Sequence, residues 1–466
     1  MPQTLLDASP LRESGAALAL ASDLGAKYIS GIPDRHVAPS KDDLTALKAF
    51  DEPMPNSPQT VEGTLRKLDT FGSPATVAST GGRFFGLVVG GTLPATLGAR
   101  VLTSTWDQIV FNDATSPVGV KLEAVASRWL LEILGLPRQS SVGFTTGATM
   151  ANFTCLAGAR HALLARQGWD ISKRGLQGSP PLRIIASEQI HVTAIKALTL
   201  LGFGTEQIEY VPCDAQGRVI ARTMPKLDSS CLVLLQAGNL NSGAFDPIGE
   251  IAANAAESGA WIHVDGAFGL WAAASDKTAG QLAAYDRADS WVVDGHKWLN
   301  TPYDCGIAIT KSPEPVHMAM ATQAPYLKVG GTVAPKDMVP EFSRSTRGVE
   351  VWAALRSLGK SGVAELIDRC CSHARLFAAG LEGIGFEILN DVVLNQVVAS
   401  WPDNETLAPR IAKHVQDSGT AWFGPTTWQG RQAIRISVAS WATTVRDVTE
   451  TLSAVRRAVF ELTEDL

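Results

Sequence analysis

Three residues near the middle of the chain carry charge where the surrounding sequence is apolar. Asp265 ends the run "WIHVD", Asp294 ends "SWVVD", and Lys297 follows in "DGHKWLN". Desolvation behind a hydrophobic strand disfavours the charged amine, which makes it nucleophilic and suits condensation with an aldehyde. A carboxylate at a strand end can pair with a ligand cation, or it can cap the turn that follows. A third stretch, "VGFTTGATMANF", has a strand-like lead and then Thr146, Gly147, Ala148 and Thr149 at the start of a helical pattern. Gly147 lets backbone approach a ligand, the threonines offer hydroxyls, and a helix start offers free N–H groups to an anion. The same stretch also reads as an ordinary capped helix. It has neither the lysine of a Walker A loop nor the glycine spacing of a dinucleotide fold.

Bringing these residues together requires strands that end at one edge of a sheet. The apolar runs "LRIIAS", "IEYVP", "CLVLLQA", "WIHVDGA", "DSWVVDG" and "CGIAITK" alternate with the helical patterns "TMANFTCLAGARHALLARQG", "HVTAIKALTLLG" and "PIGEIAANAAESG". That alternation predicts an α/β fold, a mostly parallel central sheet with helices on both faces, and ligands in such sheets sit beyond the strand carboxyl ends. Upstream, "VKLEAVASRWLLEILGL" is a predicted helix stopped by Gly135, with Pro137 beyond. After about residue 345 one long predicted helix leads to strands "FEILN", "NQVVASW" and "AIRISVAS" and two further helices, a small α+β domain. Thr444 with Asp447 forms a capping-box pattern for the last helix. Residues 1–75 mix short helical patterns with proline breaks and predict an extended arm. The expected division is 1–75 arm, 76–345 large domain, 346–466 small C-terminal domain.

Composition narrows the function class. The chain has 466 residues, 45% of them hydrophobic and 18% charged, with a formal charge of -6. A net acidic chain does not offer the basic face that nucleic acid needs as a main partner. The N-terminal stretch lacks a basic region followed by an apolar core, and apolar runs stop well short of a bilayer's thickness, so no membrane association is expected. Six cysteines without C-x-x-C spacing read as reduced thiols of a cytoplasmic protein, and eight scattered histidines give no metal-site spacing.

An anion cradle, a strand-end carboxylate and a strand-end lysine are together the handles that hold pyridoxal phosphate. In line with this, the chain resembles the group II pyridoxal-phosphate-dependent amino acid decarboxylases of the aspartate-aminotransferase-like fold (fold type I), from about residue 20 to the end. "RFFGLVVGG" resembles that family's N-terminal aromatic segment, and "SPVGVKLEAVASRWLLEILGLP" its "SP…E…W…LGLP" helix. "TTGATMAN" is similar to "TSGGSEAN", "HVDGAFG" to "HVDAAYGG", and "DGHKWLNTPYDCG" to "DPHKWLNVPYDCG".

The resemblance implies decarboxylation of an L-amino acid to its amine, through an imine with the cofactor and a carbanion stabilised by its ring. Lys297 would carry the cofactor and Asp265 would pair with the pyridine nitrogen. His191, in "SEQIHVTAIKAL", would stack on one ring face and Ala267 pack on the other. Gly147, Ala148, Thr149, His296 and Asn300 would surround the phosphate, with Asp294 in the same shell. Arg435, in "AIRISVAS", matches an arginine that can hold a substrate carboxylate, and Phe84, Phe85 and Trp106 fall in the segment that borders the substrate. The family implies a homodimer with the active site at the subunit boundary and the arm wrapped around the partner.

Three departures stand out. Asn239 replaces a threonine, and Met150 stands where many members have Glu. The loop "YLKVGGTVAPKDMVPEFSRSTR" holds only Tyr326, ahead of the position where many members place a tyrosine that protonates Cα. The proton then falls to His191 or a water. Two other outcomes stay open: another carbon–carbon lyase or oxidative deaminase reaction, or cofactor binding without turnover.

Overall fold

A computed structural model describes residues 10–322 and 334–464. The apolar runs fold as strands because both their faces find cover. β1 (Ser141–Thr145), β2 (Arg183–Ser187), β3 (Ile208–Val211), β4 (Cys231–Gln236), β5 (Trp261–Asp265), β6 (Ser290–Asp294) and β7 (Gly306–Thr310) form one sheet, in the order β1-β7-β6-β5-β4-β2-β3. Neighbours are parallel except where β7 runs antiparallel to β1 and β6. Strands β4 to β7 are buried at every residue, which is why they read as unbroken apolar runs.

Alternate residues of each strand serve different layers. Ile184, Leu232, Leu234 and Trp261 pack with Leu156, Leu163 and Leu198 on one face. Ile185, Val233, Leu235 and Ile262 pack with Trp271 and Phe377 on the other. The two layers are supplied by the helices Ala148–Arg166 and Val192–Leu200 on one side and Arg347–Glu382 on the other. Burying such side chains contributes about 1.5–3 kcal/mol each, enough to offset the cost of aiming a few charged residues at one sheet edge.

The expected long helix is present over Arg347–Glu382 but broken at Gly359, whose φ of 61° and ψ of -179° are not helical. Beyond it lie β8 (Glu387–Ile388), β9 (Gln396–Ser400), β10 (Gly424–Trp428) and β11 (Arg431–Ser437), antiparallel in the order β10-β11-β9-β8. Strand β10, "GPTTW", was not expected; Pro425 and half-exposed threonines are tolerable because it is an edge. Gln429 and Gly430, both at positive φ (51° and 83°), form the two-residue turn that joins it to β11. Thr444 and Asp447 exchange the expected capping bonds, 2.8 Å and 3.3 Å, at the head of the last helix. In the arm, helix Pro10–Gly31 is followed by backbone bonds from Val37 to Gly419 and from Ala78 to Val37. Among the described residues no helix is long and apolar enough to cross a membrane.

Candidate active site

Six segments meet at one cavity of about 320 Å³. Thr146–Thr149 follow β1, His191 and Thr193 follow β2, and Gln236, Gly238 and Leu240 end or follow β4. Asp265, Ala267 and Phe268 end or follow β5, and Asp294, His296 and Lys297 end or follow β6. Tyr303 comes from the segment before β7; because β7 is reversed, its amino end lies at this same edge.

The anion cradle is built by two glycines. Gly147 is the N-cap of helix Ala148–Arg166, and no side chain caps that end, so the first-turn N–H groups remain available. A Cβ on Gly147 would stand 3.3 Å from His296 Cε1, filling the cradle. Gly306 faces Thr145 in the β1–β7 register, and a Cβ there would lie 2.3 Å from the Gly147 carbonyl carbon. No other residue type allows these two backbones to touch.

Asp265 is buried at the cavity wall. Its Oδ2 accepts from Asn152 Nδ2 at 3.0 Å and its Oδ1 from the Ala267 N–H at 3.1 Å. No cation pairs with it among the described residues. A buried carboxylate without a counter-cation costs several kcal/mol, so this one is arranged for a positive ligand.

Lys297 Nζ lies 3.2 Å from Asp294 Oδ2, and His296 Nε2 lies 3.6 Å from the same oxygen. The other oxygen, Asp294 Oδ1, is buried with no hydrogen-bond partner among the described residues. His296 Nδ1 accepts the Cys305 N–H at 3.1 Å, which assigns the ring proton to Nε2. Burial pushes its pKa down, and its ring stacks on Tyr303 at 4.4 Å. His191 caps helix Val192–Leu200; its Nδ1 accepts from the Thr193 N–H at 3.3 Å and lies 2.6 Å from Thr193 Oγ1. Burial lowers its pKa as well, so at neutral pH it is an uncharged ring with its proton on Nε2. Partial desolvation raises the Tyr303 phenol even though more than half of the side chain is exposed, so it is protonated.

The structure does not bring every sequence-predicted residue to this cavity. Asn300 is wholly buried, and its amide is used elsewhere: Nδ2 donates to the carbonyls of Trp298 and Ala439, and Oδ1 accepts the Trp441 N–H. It ties the lysine loop to the C-terminal region instead of facing a phosphate. Phe84 stacks on Trp422 at 4.9 Å, Phe85 is core against Phe377, and Trp106 is partly exposed at a helix end; none of the three lines the cavity. Arg435, on β11, donates to the Leu240 carbonyl at 3.3 Å beside the cavity, and no carboxylate pairs with it among the described residues. Asn239 turns its Oδ1 to the N–H groups of Asn241 and Ser242. Tyr326 lies outside the described residues.

Sequence reasoning missed Asn152, His263, Thr193, Gln236, Phe268 and Tyr303. Two had a signal. Asn152 is four residues after Ala148 on one helix face, and His263 is two before Asp265 on one strand face.

The profile of the pyridoxal-dependent decarboxylase conserved domain matches residues 45–401. This chain belongs to that family. Tryptophan decarboxylase 1 of Oryza sativa subsp. japonica is 26% identical over 415 residues, 81% of this chain and 80% of that protein. An acidic amino acid decarboxylase of Mus musculus is 28% identical over 381 residues, 75% of this chain and 68% of that protein. The structure of Oryza sativa TDC with PLP and tryptamine superposes with a TM-score of 0.90 at 22% identity, covering 98% and 99% of the two chains. Mouse CSAD in apo form gives 0.87 at 21% identity, covering 97% and 99%. The fold of this decarboxylase is thus the α/β fold type I, its cofactor is pyridoxal phosphate, and its reaction is amino acid decarboxylation. The cavity fits that cofactor: an uncapped helix start for the phosphate, an uncompensated carboxylate for the ring nitrogen, and a lysine on the same lining.

Proposed function

We propose that the cavity described above is the site of decarboxylation, with Lys297 as the point of cofactor attachment. The observation that carries this reading is the convergence of Lys297, Asp265, His191 and the uncapped helix start from four separate strand ends. Bound pyridoxal phosphate supplies the sink for the electron pair left when the Cα–carboxylate bond breaks. Thr146–Thr149 and His296 hold its phosphate, and Asp265 keeps a proton on its ring nitrogen. His191 and Ala267 cover the two ring faces and exclude water. Two neutral donors, His191 Nε2–H and the Tyr303 hydroxyl, belong to residues lining the cavity and are the candidates to return a proton to Cα. Arg435, a cation without a carboxylate partner among the described residues, meets an acidic group of the substrate.

The arm (1–75) acts in a homodimer whose active sites lie at the subunit boundary. Supporting this, Leu11 (83% exposed), Met54 (91%) and Leu68 (59%) are apolar side chains left exposed on the arm. Six free cysteines, five of them buried, fit a cytoplasmic, reducing location.

Borohydride reduction of the loaded enzyme, followed by peptide mapping, should place the label on Lys297. Carbon dioxide trapped from a panel of acidic and aromatic amino acids should identify the substrate class. A label on another lysine would refute the site, and carbonyl product without carbon dioxide would refute the reaction.

A further inference from the structure

We propose that a one-way chain of buried hydrogen bonds, Trp261 to Ser290 to His263 to Asn152 to Asp265, holds the Asp265 carboxylate as an oriented anion. His263 and Asn152 are then positioning residues for the cofactor ring nitrogen. The inference builds on the assignment of Asp265 to that nitrogen. Trp261 Nε1 donates to Ser290 Oγ at 3.0 Å, and Ser290 Oγ lies 2.8 Å from His263 Nδ1. His263 Nε2 lies 2.7 Å from Asn152 Oδ1, and Asn152 Nδ2 donates to Asp265 Oδ2 at 3.0 Å. All five residues are buried, four of them at 3% exposure or less.

The direction of each link follows from what the groups can do. An indole N–H can only donate, and an ionised carboxylate can only accept. Asn152 must therefore turn its nitrogen to Asp265 and its oxygen to His263. His263 must then carry its proton on Nε2 and accept at Nδ1. Ser290, already accepting from Trp261, gives its own proton to that Nδ1. Reversing any link would set two donors or two acceptors face to face in a buried site, at a cost of about 1–3 kcal/mol. A charged His263 would donate from both nitrogens and break the link to Ser290.

The fold supplies this order cheaply. Trp261, His263 and Asp265 alternate along β5, so they share one face. Ser290 is the register partner of His263 on β6. Asn152 lies one turn along the helix that begins at the phosphate cradle, so one element fixes both ends of the cofactor. In a low-dielectric site, successive donors polarise one another and strengthen the last bond, the one to the carboxylate. With the Ala267 N–H on its other oxygen, Asp265 cannot rotate.

The test reads the ring nitrogen directly. In enzyme loaded with ¹⁵N-labelled pyridoxal phosphate, the ring-nitrogen resonance should be that of a protonated pyridine. His263→Phe, which removes both ring nitrogens, and Asn152→Leu should move it toward the unprotonated value. They should lower kcat about tenfold or more with a smaller change in KM, the scale typical of groups that orient a ligating residue. His263→Gln, which keeps a donor for Asn152, should recover most of the shift. A folded, loaded His263→Phe enzyme with the wild-type resonance would overturn the proposal. Should the variants not fold, ¹⁵N-histidine spectra of the wild-type protein without cofactor decide the matter. His263 must be the Nε2–H tautomer and stay neutral from pH 8 to 6; an Nδ1–H ring, or titration in that range, overturns the chain. That readout needs no cofactor, so failure of Asp265 to meet the ring nitrogen would show separately, as an unprotonated ring nitrogen in the wild-type enzyme.

Discussion

The amine of Lys297 is paired with Asp294, at 3.2 Å, while among the described residues Asp265 is left with only amide and backbone donors. The two strand-end acids therefore have different work. Asp265 waits for a cation, whereas Asp294 holds the lysine and points an unpartnered oxygen toward the cradle, 4.0 Å from where a Cβ on Gly147 would stand.

An acid so close to a phosphate opposes it. Asp294→Asn should tighten pyridoxal phosphate binding by about tenfold, equal to about 1.4 kcal/mol of removed repulsion. A spectroscopic titration of the cofactor-free protein measures this. Unchanged or weaker binding would show that Asp294 does not face the phosphate.

Tyr303 stacks on His296 and lines the cavity with a protonated phenol, more than half of its surface exposed. If that hydroxyl delivers the proton to Cα, Tyr303→Phe should slow amine formation by about a hundredfold and increase the share of carbonyl product. Product analysis by chromatography separates the two fates. An unaltered rate and product ratio would leave His191 as the donor.

Gly306→Ala should be damaging although it adds one methyl group. The new Cβ would meet the Gly147 backbone at 2.3 Å, with no flexible side chain to yield. Overpacking of this kind costs about 1–3 kcal/mol, and the displaced cradle should also weaken cofactor binding. Thermal unfolding and cofactor titration of the same variant check both parts.

Two buried groups give opposite pH dependences. Burial lowers the His263 pKa from 6.5 to about 4, so between those values the unfolded chain binds a proton that the folded one does not. Stability from this group therefore falls as pH drops from 6.5 toward 4. Burial raises Asp246 from 3.8 to about 6, so there the folded chain binds the extra proton and stability rises as pH drops from 6 toward 4. Each amounts to about 3 kcal/mol over its window, and in the wild-type protein they largely cancel. Denaturant unfolding of the cofactor-free protein between pH 4.5 and 7 should show it. Relative to wild type, His263→Gln should gain stability toward low pH and Asp246→Asn should lose it.

Much of the site was legible in the sequence because strand ends and charge are both local signals. Asp265, Lys297 and the Thr146–Thr149 stretch each follow an apolar run, and parallel strands deliver such residues to one edge. Tyr303 was not legible, since only the reversed direction of β7 puts a residue ahead of that strand at the same edge. Phe84, Phe85 and Trp106 do not line the cavity of this chain, and aromatic type alone does not tell core stacking from a cavity wall. Asn300 turns away from the cavity for a different reason: proximity to Lys297 in sequence does not fix which way an amide turns, and its three partners lie at 298, 439 and 441. Strand β10 was hidden because an edge strand needs no apolar run.

That amide has a mechanical consequence. The Asn300 carbonyl also receives the Leu93 N–H, so the short peptide bearing the reactive amine is knotted to chain segments some two hundred residues upstream and a hundred and forty downstream. Any rocking of the C-terminal portion would drag Lys297 with it. Admission of substrate by swinging that portion aside would therefore pull the enzyme's own anchor out of alignment.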